Sequence, residues 1–275
     1  MKTLEEMFAH TQNLPTVPEV VLELIKSFDD PQADGKQIAK KIAMDQVLVA
    51  RVLRMANSAR FGLPRQVASI DDSMMVLGFN AVRTLVVASG LASAFKGPPG
   101  FDLKGFWRLS AATAEYAQLL AKPAGQRTDL AYSGGLMLHI GMLLILLEMP
   151  EQAQVVARAV DTGGSRAGVE AGLLGFNHAN VSAELAKRWN FPDQLVQAFN
   201  AYPSPLAAEP FIPLAGVFHL ADYLATRQDQ GADLEALRAG LPEAVVSKLG
   251  LDADALMASL PPYEEASRGL DELMH

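Results

Sequence analysis

Asp129–Leu147, DLAYSGGLMLHIGMLLILL, is the most apolar run in the chain, and its reading decides the fold. Eighteen residues from Leu130 to Leu147 would nearly reach across a bilayer. Ser133, Gly134, Gly135, His139 and Gly141 dilute the run, however, and Asp129 and Glu148 close its ends with charge. These features favour one helix buried on all sides in a large soluble core over a membrane span. Gly134, Leu138 and Gly141 fall on one stripe, where glycine lets a neighbouring helix approach closely.

The segments on either side read as helices too. Thr3 can cap a first short helix. VPEVVLELIKSF places Val21, Leu24, Ile25 and Phe28 on one apolar stripe. Asp45 precedes QVLVARVLRMANSA as a cap, Ser69 and Asp72 stand at capping-box spacing, and Asn80 is read as the cap of AVRTLVVASGLASAF. After the breaker KGPPGF come DLKGFWRLSAATAEYAQLLA, the central run, PEQAQVVARAV, HANVSAELAKRW, DQLVQAFNAY and LAGVFHLADYLATRQ. LEALRAGLPEAVVSKL and DADALMASL follow as amphipathic segments. No β-period run and no 20–50-residue repeat interrupts them, so the expected class is all-α, a multi-helix orthogonal bundle.

Composition narrows the chemistry. Half of the 275 residues are apolar and there is no cysteine, which excludes disulfides, thiolate metal sites and a cysteine nucleophile. The amphipathic, acidic N-terminus is not a signal peptide, so a cytoplasmic protein without a membrane role is expected. A net charge of −8 argues against a wholly nucleic-acid-binding surface. Yet residues 35–65 hold seven basic residues and one acid, and Arg51, Arg54, Asn57 and Arg60 form a basic face suited to phosphate or carboxylate partners. Asn57 has a second reading, as the residue that ends its helix. Helix–Gly–helix spacing around Gly78 could mimic a helix-turn-helix, but after Asn80 and Arg83 the second helix is apolar, unlike a base-reading helix. A DNA-binding regulator is therefore a minor alternative. Phosphate-loop, dinucleotide, nucleophile-elbow and HExxH signatures are missing.

Several stretches, in order, resemble the HDOD family, the HD-related output domain of bacterial signalling proteins. They are LPTVPEVVLELI, the DxxLxxRVLRxANSAxFG run at Asp45–Gly62, SIDDSMMVLGFNAVRTLV, FWRLSAATA, GLMLHIGMLLI, GFNHANVSAELAKRWNFP and HLADYLA. The resemblance implies an N-terminal helical layer packed on a core like that of HD-type metal-dependent phosphohydrolases, in a regulatory rather than catalytic module. It divides the chain into an N-terminal helix (1–13), an HDOD-type domain (14–203, with a subdomain boundary near 96–101) and a C-terminal helical extension (204–275) packed on the core.

An HD hydrolase needs several His and Asp ligands to hold divalent cations that polarise phosphate and supply hydroxide. Set against that pattern, Leu109 stands where the family can carry a histidine, the His-Asp pair reads Leu138–His139, and Tyr202 or a neighbour replaces a further histidine. His178 and Asp222 are kept. No catalytic residue and no cofactor is expected. The remaining donors, His139, His178 and Asp222, could at most hold a single divalent metal, because apolar Leu109 and Leu138 leave cation charge uncompensated. On an apolar helix His139 reads more readily as a neutral core histidine, hydrogen-bonded if it meets Asp222. Signalling proteins are the expected partners, with a nucleotide or other small anion in the remnant HD pocket as a further expectation and a metal-dependent phosphohydrolase as the rival function. Trp107 and Trp189 read as core anchors.

Overall fold

Local sequence sets most helix starts. The computed structural model describes residues 3–10, 17–30, 34–57, 61 and 66–268. Among these, every regular element is helical. Helix α1 (Leu4–His10) opens with a reciprocal cap: the Glu6 amide donates to Thr3 Oγ1 at 3.1 Å, and Thr3 N–H donates to Glu6 Oε2 at 2.8 Å. Helices α2 (Glu19–Lys26), α3 (Gly35–Ala43), α4 (Gln46–Ala56) and α5 (Ile70–Leu77) follow, with Asp34, Asp45 and Ser69 accepting from first-turn amides of the last three. Helix α6 (Phe79–Ala94) corrects one expectation. Asn80 is not its cap but lies inside its first turn, because Gly78, at φ 85°, reverses the chain directly into the helix.

The second half is built on α7 (Leu103–Ala121), α8 (Thr128–Met137), α9 (Ile140–Glu148), α12 (His178–Arg188), α13 (Asp193–Ala201) and α14 (Pro213–Asp229). Helix α7 packs along α8 and α14, and α12 packs on α9 and α13. Helices α10 (Pro150–Asp161) and α11 (Arg166–Leu174) pair with each other beside α9 and α12. Beyond α14, Gly240–Pro242 divides LEALRAGLPEAVVSKL into α15 (Leu234–Ala239) and α16 (Glu243–Lys248), since the Pro242 ring cannot continue a helix through its own position. Helices α17 (Ala253–Ser259) and α18 (Tyr263–Ala266) complete the order, with α18 lying on α7 and α14. Helix α6 joins the halves by packing on α2, α4, α5 and α8. Trp107 and Trp189 are buried, and Phe95 meets both rings edge-on, at 6.4 and 6.1 Å between centroids.

The central run is buried but not continuous. The window that would suit a membrane lies 83% inside the fold, and its helix breaks at Leu138–His139. Ser182 of α12 is the wedge: its Oγ accepts from the Gly141 amide at 3.0 Å and donates to Leu138 O at 3.1 Å. A side chain inserted in the i→i−4 ladder bends a helix in this way. Glycine permits the approach, because a Cβ on Gly141 would stand 2.0 Å from His178 O. Gly134 likewise admits Phe218 of α14, and Gly135 the backbone of Ala114 in α7.

Candidate functional site

The break in the central run, the start of α12, the end of α13 and the middle of α14 bring the expected pocket residues into one region. They form two hydrogen-bonded networks. In the first, His139 Nε2 lies 2.8 Å from Asp222 Oδ1, which Thr226 Oγ1 also approaches at 3.3 Å. The His139 side chain is 3% exposed while Asp222 keeps 35% of its surface. Burial alone would raise the Asp222 pKa. The hydrogen bond and charge of His139, then the charge of His178 and the Thr226 bond, outweigh it and hold the carboxyl below its ordinary value.

The second network runs through Glu170, His178 and Tyr202. Asn177 caps α12 through a reciprocal bond with Asn180, which fixes His178 at the first helical position. Buried Glu170 of α11 accepts from the His178 amide at 2.8 Å and from His178 Nδ1 at 2.5 Å. On the other side of the ring, His178 Nε2 and the Tyr202 hydroxyl are hydrogen-bonded at 2.6 Å. Arg166 stands 3.7 Å from the other Glu170 oxygen. Burial, and then the negative charges of Asp222 and Glu170, push the Tyr202 hydroxyl well above its usual pKa, so it stays protonated. His219 Nδ1 lies 2.9 Å from Tyr202 O and ties α14 to the end of α13.

This donor chemistry does not fit a metal cage. Carboxylate-to-imidazole orientation of the kind shown by Glu170 and His178 is common behind metal ligands, but here the nitrogen a cation would use is hydrogen-bonded to the Tyr202 hydroxyl. His139 Nε2 and Asp222 Oδ1 are bonded to each other, and His139 Nδ1 is buried with no partner among the described residues. Leu138 is fully buried and Leu109 packs against the core, so neither offers a donor. Among the described residues no three His, Asp or Glu side chains stand close enough to hold an ion.

One member of the expected basic face, Asn57, is not part of it. Arg54 is exposed and Arg51 half-buried on α4, whereas Arg60 lies outside the described residues. Asn57 turns inward: its Nδ2 donates to Val67 O and its Oδ1 accepts from Val67 N–H, both at 2.8 Å. It therefore ends α4 and clamps the approach to α5 instead of facing a partner.

Two features escape a sequence reading. Glu170 is one. The other is a clasp in which Asp129 accepts from Arg83 Nη2 at 2.5 Å and from Arg127 Nη2 at 2.9 Å. Arg83 Nη1 also donates to Ser27 O and Arg127 Nη1 to Phe28 O, so the start of α8 holds the C-terminal end of α2. The apolar setting of Arg83 in VRTLVV is the one sequence signal that it would need a buried partner.

Comparison with known proteins agrees with this architecture. The HDOD domain family model matches residues 14–205. A crystal structure of a provisionally assigned phosphohydrolase from Shewanella amazonensis SB2B superposes with a TM-score of 0.84 at 31% identity, covering 98% of both chains. An HDOD domain protein of unknown function from Geobacter sulfurreducens shares the fold, with a TM-score of 0.81 at 24% identity over 98% of this chain and 96% of its own. A provisionally assigned signal transduction protein from Marinobacter aquaeolei VT8 gives 0.72 at 26%, over 97% of this chain and 60% of its own. An uncharacterized protein of Treponema pallidum (strain Nichols) is 26% identical over 223 residues, 76% of this chain and 42% of that protein, so the chain spans less than half of that relative. With a family match that runs from before α2 to beyond α13, and a relative of the same shape over nearly its whole length, the chain belongs to the HDOD family.

Proposed function

We propose that this chain is a non-catalytic signal-transduction module that acts by binding a partner protein, with the α4 face carrying Arg51 and Arg54 as its docking surface. The observation that carries the reading is the hydrogen bond between the Tyr202 hydroxyl and His178 Nε2, at 2.6 Å. It commits a nitrogen that an HD hydrolase would give to its metal, and Leu109 and Leu138 remove further ligand positions. A scaffold that positions no cation at a phosphate has no means of generating hydroxide there. What it retains is shape and surface charge, and the signal transduction protein among its structural relatives supports the same reading. The partner face would present acidic groups, matched to the excess of basic residues between 35 and 65.

The likeness to the provisionally assigned phosphohydrolase favours hydrolysis as the second reading. Turnover of bis(p-nitrophenyl) phosphate with and without added Mn²⁺ separates the two. The regulatory reading expects no release above buffer with either. Mn²⁺-dependent release that His178→Ala abolishes would establish the enzyme.

A further inference from the structure

Where the end of α2, the start of α6 and the turn into α8 meet, a cleft of about 670 Å³ opens beside the Asp129 clasp. Its volume is in the range that small-molecule sites occupy. Three cations line it: Arg83, Arg127 and Lys122. Arg83 is 4% exposed and Arg127 is 42% exposed. Lys122 is exposed and makes no ion pair among the described residues. Two carboxylates face them. Asp129 is consumed by both arginines, and Asp29, 3.9 Å from Arg127, is largely exposed.

The cleft thus carries an excess of one positive charge on a chain whose net charge is −8. Such a local reversal of sign draws anions. Arg83 Nε adds a second observation, because it is buried and has no hydrogen-bond acceptor among the described residues. A buried N–H without a partner costs free energy and leaves part of the guanidinium's charge uncompensated behind the wall. Arg127, whose nitrogens also bond Asp129 and the Phe28 carbonyl, keeps part of its guanidinium exposed at the same wall.

We propose that this cleft binds a small phosphorylated ligand, its phosphate held by Lys122 and Arg127 with Arg83 behind them. The site is separate from the His139, His178 and Asp222 region and stands whether or not α4 is the docking surface. Because Arg83 and Arg127 also hold the carbonyls of Ser27 and Phe28, occupancy tightens α2 onto the start of α8.

Inorganic pyrophosphate is the probe, titrated by calorimetry into the full chain at low ionic strength. Wild type is expected to show saturable binding at one site, weakened at least about tenfold by Lys122→Glu. Arg158→Glu, an exposed change of equal charge on α10, should leave the affinity within about twofold. Absence of saturable binding overturns the proposal. So does full affinity in Lys122→Glu, or an equal loss in both variants, which would mark attraction to the chain's overall charge. Unaltered thermal melting of Lys122→Glu verifies that a loss of binding is not a loss of fold.

Discussion

His139 and Asp222, 83 residues apart in sequence, meet at 2.8 Å through Nε2 and Oδ1 where the central helix breaks. The pair links α14 to the break between α8 and α9, and it satisfies an imidazole nitrogen that would otherwise be buried without a partner. Asp222→Ala should cost about 2 kcal/mol by urea denaturation, chiefly from stranding the His139 N–H. Asp222→Asn keeps an acceptor oxygen and should cost less than half as much. Equal losses in the two variants would show that the hydrogen bond does not matter to stability.

Acid sensitivity follows from two carboxylates. Burial would raise both pKa values, but His139 at Asp222, and Arg127 with Arg83 at Asp129, hold them below the ordinary 3.8. A carboxyl depressed by folding contributes stability that is complete above its unfolded pKa and is lost as pH falls through the lower folded value. The contribution of these two groups is therefore full at neutral pH and fades below about pH 4. Unfolding free energies of the Asp129→Asn/Asp222→Asn double variant, measured from pH 7 to pH 3, should decline less on the acid side than wild type. An identical acid limb would refute the assignment.

Gly141 and Ser182 make the break. Gly141→Ala would drive a Cβ into the His178 carbonyl, 2.0 Å away, and should destabilise by about 3 kcal/mol or more. Ser182→Ala leaves the Gly141 amide and the Leu138 carbonyl short of a partner and should cost about 1–2 kcal/mol. Thermal melting of both variants checks the order of the effects.

Asn57 and Arg54, three residues apart on α4, should behave differently. Asn57→Ala removes two hydrogen bonds to Val67 and should lower stability by about 1–2 kcal/mol. Arg51→Glu/Arg54→Glu should instead leave melting nearly unchanged and reduce capture of an acidic partner in a salt-dependent way. Partner binding that is indifferent to that charge reversal moves the docking surface elsewhere.

How much of this was legible in the sequence depended on how local the cause was. Thr3, Asp45 and Ser69 act within three residues of themselves, and their helices begin where those side chains would start them. The break at Leu138–His139 depends on Ser182, 44 residues beyond Leu138, and no periodicity in the apolar run marks it. Asn80 looked like a cap because its residue type suits one, but the positive φ of Gly78 had already turned the chain. In the candidate site, His139, His178, Tyr202 and Asp222 could be named in advance, and the His139–Asp222 bond only as a condition, whereas the contact of His178 with Tyr202 had no signal. Glu170 sits in VEAGLLGF with nothing nearby to announce its bond to His178, eight residues later.

The central claim is that internal hydrogen bonds have taken over the donors an HD hydrolase would give to its cations. Elemental analysis of the purified chain, after incubation with Mn²⁺ or Zn²⁺ and exhaustive dialysis, tests it most directly. The account predicts far less than one metal per chain, no different from His178→Ala. One equivalent or more retained by wild type and lost in His178→Ala would contradict it.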